Sequence, residues 1–166
     1  MISAKLQDAI NEQIKNEFYS AYLYLAMSAH CESANLPGFG AWLKVQSNEE
    51  LGHGMKLYEF LVDRGARVTL HAIAQPQAIY KSTLALFEHV LAHEQKVTGM
   101  IHSLYELALK EKDYPAQVLL HWFINEQVEE EKNATQIVEQ LRMIPEKGGA
   151  LLFLDRHMGK REAEKE

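Results

Sequence analysis

Apolar residues recur at three- and four-residue steps through four stretches of roughly 30 residues, and nowhere do they alternate as in a strand. Such a chain can bury its apolar surface only by packing long helices against one another. Four prolines and nine glycines leave few places to interrupt regular structure. They fall between the periodic stretches, and they set the expected helices at about 4–33, 38–64, 83–112 and 114–143, with a short apolar helix at about 150–158. Asn35 to Gly38 and Asp113 to Pro115 make short turns, so each joins antiparallel neighbours. Residues 66–81, with Pro76 and little periodicity, are long enough to run back along a bundle. The expected fold is all-α: a single domain over 1–166, a four-helix bundle with one long crossover and a short fifth C-terminal helix. The charged residues 160–166 form a tail expected to fray.

The charge balance narrows the partners. Seventeen Lys and Arg against 23 Asp and Glu give a net charge of −6, so there is no basic field for nucleic acid or anionic lipid. Cations suit such a surface better. Cys31 is the single cysteine, which excludes an internal disulfide framework and fits a reducing compartment. With no apolar signal core and no 18-residue apolar run, a soluble cytoplasmic protein is expected.

What interrupts the apolar stripes carries the chemistry. In the first helix Leu6, Ile10, Ile14, Ala21 and Tyr24 share a face, and Glu17 stands seven residues from both Ile10 and Tyr24. The second stripe reads Leu43, Gln46, Glu50, His53, Leu57, Phe60, with Glu50 and His53 in Glu-x-x-His spacing. The third reads Leu84, Phe87, Leu91, Glu94, Thr98, Ile101, Tyr105, and the fourth Leu120, Phe123, Gln127, Glu130, Ala134, Ile137, Leu141. The connections bring Glu17, Glu50, His53, Glu94, Gln127 and Glu130 to mid-bundle at comparable depth. Bare carboxylates there would repel one another, and each uncompensated buried charge costs several kcal/mol, so cations must balance them. Oxygen-rich ligation with one imidazole and no thiolate disfavours structural zinc and suits a pair of iron or manganese ions, iron being preferred for its redox chemistry. The competing reading, a metal-free helical scaffold or interaction bundle, has these residues solvated or paired with Lys or Arg; it requires six coincident exceptions on four stripes.

Over essentially its whole length, in motif content and spacing, the chain resembles the ferritins, specifically the prokaryotic non-haem type. That resemblance implies a ferritin-like bundle in which one iron site matches Glu17, Glu50 and His53. A second matches Glu50, Glu94 and Glu130, with Glu50 bridging and Gln127 a near or weak ligand. Tyr24 and Trp122 match aromatic residues adjoining the centre, where Tyr24 could donate a hydrogen bond or an electron. A third iron would match Glu49, Glu126, Glu129 and Glu130. The implied activity is a ferroxidase: Fe(II) is oxidised with dioxygen or peroxide and stored as a hydrated ferric oxide. The storage vessel is a cage of twenty-four chains, with Leu151, Leu152, Phe153 and Leu154 at an intersubunit axis.

Departures from neighbouring families sharpen this. The symmetric di-iron template carries Glu-x-x-His twice, whereas the fourth helix offers Gln127-Val-Glu-Glu130. Bacterioferritins bind haem through a Met just after the bridging Glu; Leu51 stands there, and no haem is expected. A di-iron oxygen or peroxide reductase of rubrerythrin type usually adds a cysteine-rich module, for which Cys31 alone does not suffice. The DNA-protecting mini-cages place their extra helix between the second and third, not at the C-terminus. His30, His71, His89, His93, His102, His121 and His157 lie off the constellation and receive no role.

Overall fold

The computed structural model describes residues 2–161. Its helices are α1 (Ala4–Ser33), α2 (Pro37–Asp63), α3 (Thr83–Lys110), α4 (Tyr114–Arg142) and α5 (Gly149–Met158), and no strand occurs among the described residues. Every expected helix is present, with bounds within two residues. α2 begins on Pro37 itself, since proline at the first helical position loses no hydrogen bond. α3 stops at Lys110 because Lys112 turns left-handed, with φ of 54°. Side-chain caps start three helices: Ser3 Oγ accepts from Leu6 N at 3.2 Å, Ser82 Oγ from Ala85 N at 3.0 Å and Asp113 Oδ1 from Ala116 N at 3.0 Å. The Arg64 guanidinium holds Asp113 through two 2.9 Å hydrogen bonds, tying the end of α2 to the start of α4.

The crossover lies along the bundle, fastened by its backbone. Asn11 donates Nδ2 to the Arg67 carbonyl at 3.0 Å and accepts from Thr69 N at 2.8 Å, while Arg67 N donates to Gln7 Oε1 at 3.0 Å. Further along, Pro76 and Tyr80 are buried.

The apolar core comes in two clusters. One holds Leu23, Met27, Phe39, Leu43, Phe87, Val90, Ala134 and Val138. The other holds Ile10, Ile14, Leu57, Leu61, Val97, Ile101, Leu120 and Phe123. Along every long helix the residues between its two apolar segments are the polar ones: Glu17 on α1, Gln46 to His53 on α2, Glu94 on α3, Gln127 and Glu130 on α4. Cys31 belongs to the first cluster, and burial pushes its thiol up to about 12, so it is a small core residue with little thiolate character.

Two stripe assignments need correction. The buried seam of α3 is Leu86, Phe87, Val90, Glu94, Val97, Ile101, Leu104 and Ala108, while Leu84, Leu91, Thr98 and Tyr105 are only partly buried. Both versions share Phe87, Glu94 and Ile101; Val90, Val97 and Leu104 flank these on one side, Leu91, Thr98 and Tyr105 on the other. Packing selects the first flank. Likewise Leu61 rather than Phe60 ends the buried face of α2.

α5 docks on the start of α2. Leu36 offers no side-chain cap there, and buried Asp155 takes that part, its Oδ1 accepting from Phe39 N at 2.9 Å. Gly38 lets the helices touch, because a Cβ at that position would stand 1.7 Å from the Asp155 carbonyl oxygen. Gly38→Ala should therefore push α5 away and destabilise the fold by about 3 kcal/mol, read as a lowered melting temperature and earlier proteolysis after Arg142. A wild-type melt and digestion pattern would contradict this packing account. Leu152 and Phe153 remain exposed on the outer side of α5.

Of the charged tail, Lys160 and Arg161 are described. Arg161 turns back onto α2, its guanidinium 4.4 Å from the Trp42 ring centroid. Residues 162–166 lie outside the described residues. No helix among the described residues is long and apolar enough to cross a membrane.

Candidate metal centre

Four helices each deliver a carboxylate to the polar layer because each carries it near mid-length, between apolar segments that set the helix's depth. Glu17, Glu50, Glu94 and Glu130 are 1%, 2%, 2% and 5% exposed, and His53 is 4% exposed. Glu17, Glu50 and His53 each bring a ligand-type atom into one group whose members lie within 4.8 Å of one another. His53, Glu126 and Glu130 form a second such group. His53 Nδ1 lies 3.5 Å from Glu50 Oε2. Glu94 joins neither group at that spacing; the Tyr24 hydroxyl donates to its Oε1, and Gln127 Nε2 donates to its Oε2 at 3.2 Å.

Amides bind the layer together. Gln13 Nε2 donates to Glu17 Oε1 at 2.7 Å, and Gln46 Nε2 donates to Glu50 Oε1 at 3.2 Å and to Glu130 Oε1 at 2.8 Å. Gln127 Nε2 also reaches the Glu94 carbonyl at 3.2 Å and Thr98 Oγ1 at 3.3 Å, and that hydroxyl donates to Glu131 at 2.6 Å. Aromatic rings wall the His53 side: Trp122 stands edge-on at 5.2 Å with Lys56 over its outer face at 4.1 Å, and Phe123 lies 6.0 Å from the imidazole.

Burial and mutual repulsion govern the protonation of these acids. Desolvation, then the neighbouring charge of Glu50, pushes Glu17 up to about 8. Desolvation also raises Glu50 and Glu130 well above the ordinary carboxylate range, reinforced by Glu94 for Glu50 and by Glu50 for Glu130. Glu94 is raised by burial and held back by its hydrogen bonds from Tyr24 and Gln127. At neutral pH the metal-free layer thus retains protons that a cation would displace, as expected of a site built for cations.

The structure gathers Glu17, Glu50, His53, Glu94, Gln127, Glu130 and Tyr24 in this layer, with Trp122 against His53. Of the residues expected around a third ion, Glu126 and Glu130 share one ligand group and the other two are placed differently. Glu126 lies with His53 and Glu130, Glu129 is exposed, and Glu49 Oε2 accepts from Arg161 Nη2 at 2.5 Å. Leu51 is exposed on the outer side of α2.

Sequence reasoning gave no role at the site to four residues. Gln13 and Gln46 stand four residues before Glu17 and Glu50, and an amide one turn from a buried acid was the available signal. His93 is buried, its Nε2 2.8 Å from the Ser20 hydroxyl and its ring 5.9 Å from those of Tyr19 and Tyr24. Burial lowers it to about 4, so it is a neutral imidazole packed behind Tyr24. Arg161 gave no local signal, because its partners on α2 are more than a hundred residues away, Gln46 by 115 and Glu49 by 112.

A family model described as Ferritin-like domain matches residues 7–144. Among curated relatives, a bacterial non-heme ferritin of Staphylococcus aureus (strain USA300) is 35% identical over 166 residues, all of both chains. One from Staphylococcus saprophyticus is 38% identical over 161 residues, covering 97% of this chain and 96% of that protein. Among solved structures, an open-pore ferritin from the hyperthermophilic archaeon Archaeoglobus fulgidus is 49% identical with a TM-score of 0.96, covering 98% of this chain and 100% of that one. A humanized archaeal ferritin is 47% identical with a TM-score of 0.97, covering 99% and 100%. A helical bundle interrupted at mid-depth by buried carboxylates and one imidazole, matched end to end by these proteins, belongs to the ferritin family.

Proposed function

We propose that the chain is the subunit of an iron-storage protein with ferroxidase activity, oxidising Fe(II) at the buried carboxylate layer and storing the product as hydrated ferric oxide. The observation that carries this is the group Glu17, Glu50 and His53, buried and within 4.8 Å of one another. Fe(II) is the substrate. Glu17, Glu50 and His53 hold one ion, and Glu50, Glu94 and Glu130 hold the second, with Glu50 shared and Gln127 beside it. Two Fe(II) ions release two electrons, which with two protons reduce dioxygen to hydrogen peroxide; peroxide is the alternative oxidant. Deprotonated, the carboxylates neutralise the ions, and the protons that burial keeps on them leave as the ions bind. Tyr24 orients Glu94 through its hydroxyl and packs on neutral His93.

Glu49, Glu126 and Glu129, with Glu130, form the outer set for a third ion. No haem is required. Assembly into a cage of twenty-four chains in the cytoplasm completes the reading. The exposed apolar residues of α5, Leu152 and Phe153, favour self-assembly over a solvated monomer.

Anaerobic Fe(II) titration of the metal-free protein, followed by stopped-flow mixing with oxygen and sizing of the particle, tests this directly. The expected result is saturation at two or three fast-oxidised irons per chain in a large particle. Absence of protein-dependent oxidation would return the chain to a metal-free scaffold.

A further inference from the structure

A positively charged residue from the C-terminal end reaches the rim of the centre. α5 is held on the start of α2 by Asp155, by the Gly38 contact and by buried Leu151 and Met158. This places Arg161 over Trp42, where its two terminal nitrogens have separate duties. Nη1 donates to Gln46 Oε1 at 2.7 Å and Nη2 to Glu49 Oε2 at 2.5 Å. The arginine and its carboxylate partner are each about one-fifth exposed, so water screens the pair only in part.

The first bond decides the orientation of an amide. With its oxygen engaged by a guanidinium, which can only donate, Gln46 must turn its NH2 inward, where it meets Glu50 and Glu130. The second bond puts a fixed positive charge on a carboxylate of the outer set. A cation approaching Glu49 meets that charge, and displacing Arg161 would free Gln46 as well.

We propose that Arg161 is an intramolecular cation at the rim of the centre: it holds Glu49 against a further metal ion and positions Gln46 for the two ions inside. The proposal rests on the ferroxidase reading above. A planar fork can serve both acceptors at once, whereas a lysine ammonium is a point charge that would keep Glu49 and lose the defined grip on Gln46. Arg161 is thus a positioning residue that sets the occupancy of the outer position.

The test is isothermal titration of the metal-free assembled protein with Zn(II), which binds without redox chemistry. Wild type, R161Q, R161K and the double variant R161Q/E49Q are compared, with the melting temperature of each. Wild type should take up two ions tightly and a third weakly. R161Q should bind the third about tenfold more tightly, as expected for loss of a partly buried ion pair that competed with it. R161K should stay near wild type in third-ion affinity, and R161Q/E49Q should lose the gain.

Unchanged third-ion affinity in folded R161Q, or the same gain in R161K, would overturn the proposal. So would loss of the fold in R161Q, because the other anchors of α5 would then depend on this pair. Wild type that binds no Zn(II) would sink the ferroxidase reading itself, a result distinct from all of these.

Discussion

Glu50→Ala should reduce the fast phase of Fe(II) oxidation by at least about a hundredfold while leaving the helical content and particle size unchanged. Glu50 is the residue on which the layer converges. It accepts from Gln46, faces His53 at 3.5 Å, and its charge raises both Glu17 and Glu130. Removing it takes a ligand from both proposed ions at once, whereas loss of Glu17 or Glu94 takes one from a single ion. The fold should survive because the apolar clusters on either side contain no part of Glu50. Glu50→Gln separates charge from shape: it keeps the volume, should fail equally in oxidation, and should melt higher than wild type when metal-free. Fast oxidation retained in either variant would remove the basis for a shared carboxylate.

The second large effect is in pH. Metal-free protein should lose stability as pH rises from about 5 to about 8, opposite to the usual behaviour of carboxylates paired with bases. Glu17, carried from 4.5 to about 8, stays protonated in the fold while its unfolded counterpart has already ionised. The folded chain then binds more protons than the unfolded one, and stability falls with pH across that window. At about 1.4 kcal/mol per pH unit, Glu17 alone costs on the order of 4 to 5 kcal/mol once both limits are passed. Glu50, Glu94 and Glu130 act in the same direction.

His93 opposes them over a lower range. Its depression to about 4 means that stability is lost as pH falls below the ordinary 6.5. The comparison that isolates the layer is therefore wild type against Glu17→Gln, in which His93 cancels. The two should coincide near pH 4 and diverge as pH rises, with the variant more stable at pH 8; saturating Zn(II) should abolish the decline in wild type. Parallel curves would show that Glu17 ionises normally.

Much of this centre is legible in the sequence. Glu17, Glu94 and Glu130 each stand where the helical repeat calls for an apolar residue, and Glu50 and His53 stand one turn apart on such a face. A break in a periodic pattern is a local signal, carried within about ten residues. Amides were harder to recognise. Gln46 was visible on the stripe, but an amide there is equally consistent with a half-exposed position, and only its two inward bonds distinguish them. For α3 the repeat left two flanks of similar hydrophobicity about Phe87, Glu94 and Ile101, and contact with neighbouring helices selected Val90, Val97 and Leu104.

The sequence by itself determined the helices, their turns and caps, and the depth at which the apolar stripes give way to acids, because each of these depends on residues close together along the chain. Tertiary structure alone decided the rotation of α3, the placement of Glu126 beside His53, the burial of neutral His93 behind Tyr24, and the return of Arg161 to Gln46 and Glu49. Those contacts depend on the rotation and axial offset of whole helices. Such quantities are set by the summed packing of distant side chains, and no short stretch of sequence contains them.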